Sequence, residues 1–191
     1  MKPSGPIARR GDYRVEPCPH RMAAELVAGT HYARGASKTS VHAHCLVRVD
    51  SGRVVGAALW LPPTKVAAES VAGEAWRGVL GLSRLAVVEG EPANATSLFL
   101  AASMRLVGQD TRWHTFLTYA DTRQGHTGAI YRATNWDYLG LSRGRPAWID
   151  PQSGRQVALK ATKSRTVAEM RARGYEQLPA SAKHKFVYRP R

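Results

Sequence analysis

Cysteine is scarce in this chain: Cys18 and Cys45 are the only two in 191 residues. They do not form a CxxC pair, so neither a disulfide framework nor a thiolate metal centre is expected, and a reducing cytosol is the simplest compartment. Long apolar runs are missing as well. None approaches the length that spans a bilayer, which argues against a membrane protein. The stretch Met1–Gly11 contains Pro3, Gly5, Pro6, Arg9 and Arg10 but no apolar core, so it does not read as a signal peptide. Internal repeats are lacking, which excludes a solenoid. Acidic residues are few, 14 Asp and Glu against 28 Lys and Arg.

What is present begins with that imbalance. The net charge of +14 far exceeds what solubility needs and points to a polyanionic partner. It is unevenly spread: residues 143–191 hold twelve Lys and Arg against Asp150, Glu169 and Glu176, a net of +9. A nucleic-acid face there is the expectation. With 43% hydrophobic residues, the chain has material for one real core. The reading is a flexible basic arm over residues 1–12 and a single domain over 13–191.

Periodicity and turn residues give the element order. A helix is expected near Arg21–Ala28, closed by Gly29. Strands His44–Val49 and Arg53–Leu61 form a hairpin around Asp50-Ser51-Gly52. Lys65–Ala75 is weakly helical, Leu80–Val88 is a strand, and Asn94 opens a helix with Ala95, Leu98, Ala102 and Leu106 on one face. Thr115–Tyr119 reads as a buried strand, followed by a helix entered through Gly125 that carries Ala129, Ile130 and Ala133. Asp137–Leu141 and Arg145–Ile149 look extended, Thr166-Val167-Ala168-Glu169 is a capping box for a helix ending at Gly174, and Phe186–Tyr188 is a last strand. This order belongs to an α/β fold on a mixed sheet.

The densest chemistry lies in Thr118-Tyr119-Ala120-Asp121 and His126–Trp136, where ionisable, stacking and amide groups gather between a strand end and a helix start. Asp121 as a cap and Tyr131 and Trp136 as core are the plain alternatives. Trp136, Tyr138 and Trp148, beside Arg143 and Arg145, make an aromatic and basic stretch suited to gripping a nucleobase.

These words, together with Gly29-Thr30-His31-Tyr32, Leu82-Ser83-Arg84-Leu85-Ala86-Val87, Asn94-Ala95-Thr96-Ser97 and Lys183-His184-Lys185-Phe186-Val187-Tyr188, resemble the phage Mom family from about Gly29 to Tyr188. The resemblance implies a GNAT-like fold, a mixed and mostly antiparallel central sheet flanked by helices. It implies a transferase that converts adenine in DNA to N6-carbamoylmethyladenine and shields phage DNA from restriction, in a bacterial host cytoplasm, on a phage or prophage protein. By motif it places catalytic roles on His31, Tyr32, Arg84, Ser97, Asp121 and Tyr131. His31 would relay a proton, Asp121 would accept from the adenine N6 amine or orient His31, Arg84 would neutralise an anionic intermediate, and the tyrosines would stack or donate protons. A small-molecule donor, acetyl-CoA or a related acyl donor, would meet Leu85, Val87, Asn94, Ala95 and Thr96. DNA contacts fall on Asn135, Trp136, Tyr138, Arg143, Arg145, Lys160 and Lys163.

Two features complicate this reading. GNAT loops that hold the donor's pyrophosphate are basic and Gly-rich, whereas Glu89-Gly90-Glu91-Pro92-Ala93-Asn94 carries two carboxylates. Plain acetyl transfer also gives an amide, whereas the family's product has an N–CH2 bond. Either the donor differs from acetyl-CoA, or a metal or radical step functionalises the methyl carbon; His42 and His44 are weak candidate ligands for iron. Two other readings stay open: a conventional GNAT acetyltransferase acting on a protein or small amine, against which the acidic loop argues, and a non-catalytic basic DNA-binding protein, against which the His31, Asp121 and Tyr131 set argues.

Overall fold

The computed structural model describes residues 7–31, 38–154, 156–157 and 166–190. In chain order its elements are β1 (Tyr13–Pro17), α1 (His20–Thr30), β2 (His42–Arg48), β3 (Val54–Leu61), α2 (Lys65–Ala72), β4 (Val79–Val87), α3 (Ala95–Val107), β5 (Thr115–Asp121), α4 (Ala129–Ala133), β6 (Asp137–Leu141), β7 (Arg145–Ile149), β8 (Gln156–Val157), α5 (Val167–Ala172), β9 (Glu176–Ser181) and β10 (Lys183–Tyr188). Strands β1, β8 and β9 have no counterpart in the sequence reading. Each is short or polar, and β9 holds Pro179, which masks a strand pattern.

Contacts divide the chain into two units, one of Met1–Thr118, Ala129–Tyr138 and Phe186–Arg191, the other of Tyr119–Gly128 and Leu139–Lys185. A seven-stranded sheet runs in the order β1-β2-β3-β4-β5-β10-β6. Its β1 to β4 ladders are antiparallel and β4–β5 is parallel, giving the mixed, mostly antiparallel α/β architecture expected. In the first unit, β3 is buried at every interior position, as an unbroken apolar strand covered on both faces must be. Ala23 and Val27 of α1 pack with Ala57, Leu59 and Ala86. Gly56 leaves little room for a side chain: a Cβ there would sit 3.0 Å from the Ala86 carbonyl oxygen and 3.2 Å from the Phe99 ring.

The buried face of α3 is Ala95, Phe99, Ser103 and Val107, joined by Leu100 and Met104. It differs from the expected Ala95, Leu98, Ala102 and Leu106 by one residue of rotation, because the phenyl ring of Phe99 takes the interior place. Ser103 is tolerated inside because its hydroxyl accepts from Trp60 Nε1 at 2.9 Å and bonds His44 Nδ1 at 2.7 Å. One hydroxyl can accept from the indole and donate to an imidazole only if that imidazole is neutral, and burial, helped by His42, lowers the His44 pKa to about 4. An aromatic cluster completes this core: Trp136 lies 6.5 Å from Trp60 and Phe116, 5.9 Å from Tyr188 and 5.7 Å from Tyr131.

In the second unit, β7 pairs antiparallel with β8 and β9, and Ala147, Trp148 and Met170 are buried. At the capping box expected before α5, the Thr166 hydroxyl accepts from Glu169 N at 3.1 Å. After β5 the chain makes a tight turn over Thr122–Gln124, closed by Gly125 at φ 69°. It does not enter a helix there, as the sequence reading had it. Helix α4 starts only at Ala129, after Gly128.

Candidate active site

The parallel ladder between β4 and β5 is short, joining Val79, Leu80 and Gly81 to Thr115, Phe116 and Leu117. A bulge against β3 places one extra residue, Ser83, between the Leu59–Arg84 and Trp60–Leu82 pairs. Ser83 repairs the bulge by donating its hydroxyl to the Leu59 carbonyl at 3.0 Å. At the point where β4 and β5 part, Thr118 Oγ1 donates to the Leu82 carbonyl at 3.2 Å. Tyr131 of α4 is hydrogen-bonded to the same Thr118 hydroxyl; burial raises the Tyr131 pKa and the Thr118 bond acts the other way. The Tyr131 phenol is therefore a protonated group held at a fork between parallel strands.

A cleft of about 770 Å³ opens at the first turn of α3, with Thr96 and Ser97 on one wall and Ala129, Ile130 and Ala133 of α4 on another. Of the first-turn amides of α3, Ala95 N is taken by the Pro92 carbonyl at 2.8 Å and Leu98 N by that of Asn94 at 3.0 Å, which leaves those of Thr96 and Ser97. Asn94 does not cap them. Its side-chain oxygen accepts from Ala8 N at 2.8 Å and its amide donates to Ala8 O at 2.9 Å. Part of the stretch expected to be a mobile arm is thus tied to the head of α3, and Ile7 lines the cleft. Ser97 donates its hydroxyl to the Asn94 carbonyl at 2.9 Å.

The loop before α3 also differs from its sequence reading. The Glu91 side chain is 3% exposed, accepts from Tyr13 Oη at 2.5 Å and Arg48 Nε at 3.0 Å, and has Arg53 Nη2 at 3.5 Å. Burial would raise the Glu91 pKa, but these partners outweigh it and hold the carboxyl below its ordinary 4.5. Burial and the Glu91 carboxylate together push the Tyr13 phenol up to about 12. One of the two loop carboxylates is therefore spent inside, and the acidity that argued against anion binding at this helix start is largely cancelled.

The fold has counterparts among known proteins. The Mom protein family matches residues 12–189. The chain belongs to the Mom protein family. No curated protein matches it. Its fold is that of the GNAT acetyltransferases: it is similar to a Bacillus subtilis acetyltransferase in complex with CoA, at TM-score 0.57 and 8% identity over 94% of this chain and 99% of that one. A GNAT family acetyltransferase from Elizabethkingia anophelis with acetyl-CoA bound gives 0.54 and 8% over the same shares. The ribosomal-protein-S5-alanine acetyltransferase of Vibrio fischeri gives 0.55 and 8%, covering 97% of each chain.

The site residues expected from the resemblance fall into groups. Asn94, Ala95, Thr96 and Ser97 cluster at the start of α3, and Tyr131 lies on α4, whose other side chains wall the same cleft. Leu85 and Val87 sit half-buried on β4, pairing with Ala58 and Gly56. Arg84, also half-buried, donates to the Ser83 carbonyl at 2.6 Å. His31 closes α1, its N–H bonding the Val27 carbonyl at 2.9 Å. Asp121 belongs to the second unit. It is 4% exposed, accepts from Arg123 N at 3.0 Å and has Lys183 Nζ at 3.3 Å. Tyr32, Lys160 and Lys163 lie outside the described residues, and Arg145 is described by its backbone alone.

Trp136 and Trp148 are corrections to the base-gripping reading. Both are buried, at 4% and 1% exposure, and Trp136 gives its N–H to Met104 Sδ at 3.2 Å, so neither ring can meet a nucleobase. Asn135 is exposed at φ 62° and ends α4, a backbone role that amide side chains tolerate. Tyr138 keeps its surface role. It is 42% exposed, with the Arg132 guanidinium 5.0 Å from its ring. Arg143 is exposed.

The residues present do not fit iron. His44 is buried on Ser103, His42 Nε2 accepts from Trp113 Nε1 at 3.2 Å, and no group of three or more His, Cys, Asp or Glu side chains suited to a metal gathers among the described residues. Sequence reasoning named Thr118 within its densest stretch but gave it no role, although a hydroxyl inside an apolar strand was an available signal. It also overlooked the Glu91–Tyr13–Arg48 group, whose members lie too far apart in the chain to be linked by pattern.

Proposed function

We propose that this Mom-family chain is a transferase that attaches a carbamoylmethyl group to N6 of adenine in double-stranded DNA. The observation that carries the reading is the family match over residues 12–189 on an acetyltransferase fold with an open cleft at the head of α3. The CoA and acetyl-CoA held by the similar structures support a CoA thioester or related acyl donor as the small-molecule partner. Its phosphates suit the first-turn amides of α3, where the helix dipole favours an anion and Glu91 is already neutralised by arginines. A plain acetyl thioester is activated at its carbonyl and would give the amide. The reading therefore requires a donor that already bears the carbamoyl group and carries its leaving group on the methylene carbon, N6 displacing that group and losing a proton as the N–CH2 bond forms. The edge of β4 beyond Leu82, past the end of its backbone ladder with β5 and past the carbonyl that Thr118 takes, suits the amide groups of the donor's arm.

The adenine must leave the stack, because N6 inside a duplex is paired and its lone pair is delocalised into the ring. Tyr138 with Arg132 is the exposed aromatic and cationic surface suited to receiving it. Tyr131, kept protonated by burial, acts as general acid toward the departing group, Arg84 offsets negative charge and His31 relays a proton.

The test is protection of plasmid DNA from cells that express the chain. Endonucleases with adenine in their sites should cut it poorly, while those that read only G and C cut normally. Full cleavage by both classes, beside ample soluble protein, overturns the reading. DNA docking is separable from chemistry. Neutralising Arg143, Arg145, Lys160 and Lys163 together is expected to weaken binding to all sequences alike and to lower the slope of log affinity against log salt by roughly one unit per lost phosphate contact. An unchanged slope would move DNA docking away from this segment.

A further inference from the structure

Two further grooves run along the outer face of α3, next to the cleft at its head. The larger, about 640 Å³, shares Ser97 and Ala133 with that cleft. Arg10 and Arg105 flank it, and the side chains of Gln109, Asn135 and Tyr188 line it as well. The smaller, about 150 Å³, is lined by the same two arginines and by Arg9. No carboxylate lines either groove, and none of the three guanidinium groups forms an ion pair among the described residues. Cations gathered on a concave wall without counter-charge favour an anionic ligand. Arg105, in the last turn of α3, suits the helix dipole, but that does not account for Arg10.

Arg10 arrives by a specific device. Asn94, whose side chain would ordinarily cap α3, instead grips both backbone groups of Ala8, and Asp12 accepts from Arg9 N at 2.7 Å to tighten the turn that carries Arg10. The helix gives up a cap, and the segment Ile7–Asp12 is strapped across it.

We propose that the larger groove binds a phosphorylated nucleoside, Arg10 and Arg105 taking its phosphates and Gln109, Asn135 and Tyr188 its base, with Asn94 a positioning residue that holds Arg10 in place. Guanidinium groups match phosphate oxygens, side-chain amides read base edges, and a phenol ring offers a stacking face. The inference rests on the donor reading above: the shared Ser97 and Ala133 wall lets one ligand keep its pyrophosphate at the head of α3 and its phosphorylated nucleoside in the groove. A nucleotide of the DNA substrate has the same chemistry.

Equilibrium binding of CoA, dephospho-CoA, adenosine 3′,5′-bisphosphate and a short single-stranded oligonucleotide separates these sources. Wild-type protein is expected to bind CoA and the bisphosphate competitively, and dephospho-CoA more weakly. Arg10→Ala and Arg105→Ala should each weaken CoA and the bisphosphate about tenfold, with Arg10→Lys in between. Asn94→Ala should weaken CoA more than dephospho-CoA, whereas a merely structural role would weaken both alike. Loss confined to the oligonucleotide assigns the groove to DNA phosphates, and wild-type protein that binds no CoA overturns the donor reading while the oligonucleotide still decides the groove. If the Arg10→Ala/Arg105→Ala double variant binds every probe as wild type does, the groove is not a nucleotide site.

Discussion

Tyr131→Phe is expected to lower the yield of modified adenine by about 10²- to 10⁴-fold, the range lost with a positioned general acid. The fold should barely notice. The change removes one hydroxyl bonded to Thr118 and keeps the ring packed 5.1 Å from Phe186 and 5.7 Å from Trp136. A lost neutral hydrogen bond costs about 1 kcal/mol, a Tm shift of about 2–4 °C in a chain of this size. DNA affinity and its salt dependence should match wild type. Full activity in this variant removes Tyr131 from the chemistry, whereas inactivity with a collapsed Tm makes it a core residue. Thr118→Val gives a second reading of the same fork, since it deletes the hydroxyl that orients Tyr131 while keeping a β-branched side chain in β5.

Stability is expected to fall by roughly 3 kcal/mol as pH drops from 6.5 to about 4, because of His44. The sign follows from where the proton goes. The unfolded chain protonates His44 near its ordinary 6.5, while the folded chain, with the ring buried against Ser103, resists until about 4. Between those values the unfolded state binds more protons, so falling pH favours unfolding, and below about 4 this contribution no longer changes. Chemical denaturation of wild type and His44→Asn across that window checks it. The variant should lose most of the slope; an equally steep slope would place the titrating group elsewhere.

Much of the first unit was legible because its elements follow simple periodicities. The unbroken apolar β3 and the Asp50-Ser51-Gly52 turn stand in the sequence plainly, and so does the short helix begun by Thr166. The face of α3 came out one residue off, since counting apolar positions ranks Leu98 with Phe99 and cannot see that Ser103 is satisfied by Trp60 and His44. The site was legible only in part. Motifs marked Tyr131 and the α3 start, yet a list of residues could not tell that Trp136 is walled in by Trp60, Phe116 and Tyr188, or that Glu91 turns inward onto Arg48. Charge and aromaticity read along a chain report composition, and burial is decided by partners distant in sequence. The clamp between Asn94 and Ala8 is of the same kind, joining positions 86 residues apart.

The most direct measurement of the central claim is mass spectrometry of the nucleosides from DNA of cells expressing either the wild-type chain or Tyr131→Phe. A fraction of deoxyadenosine carrying a carbamoylmethyl group in the wild-type sample, and far less of it in the variant at equal soluble protein, is the expected result. Unmodified deoxyadenosine in both samples, or an acetyl group in its place, would contradict the account.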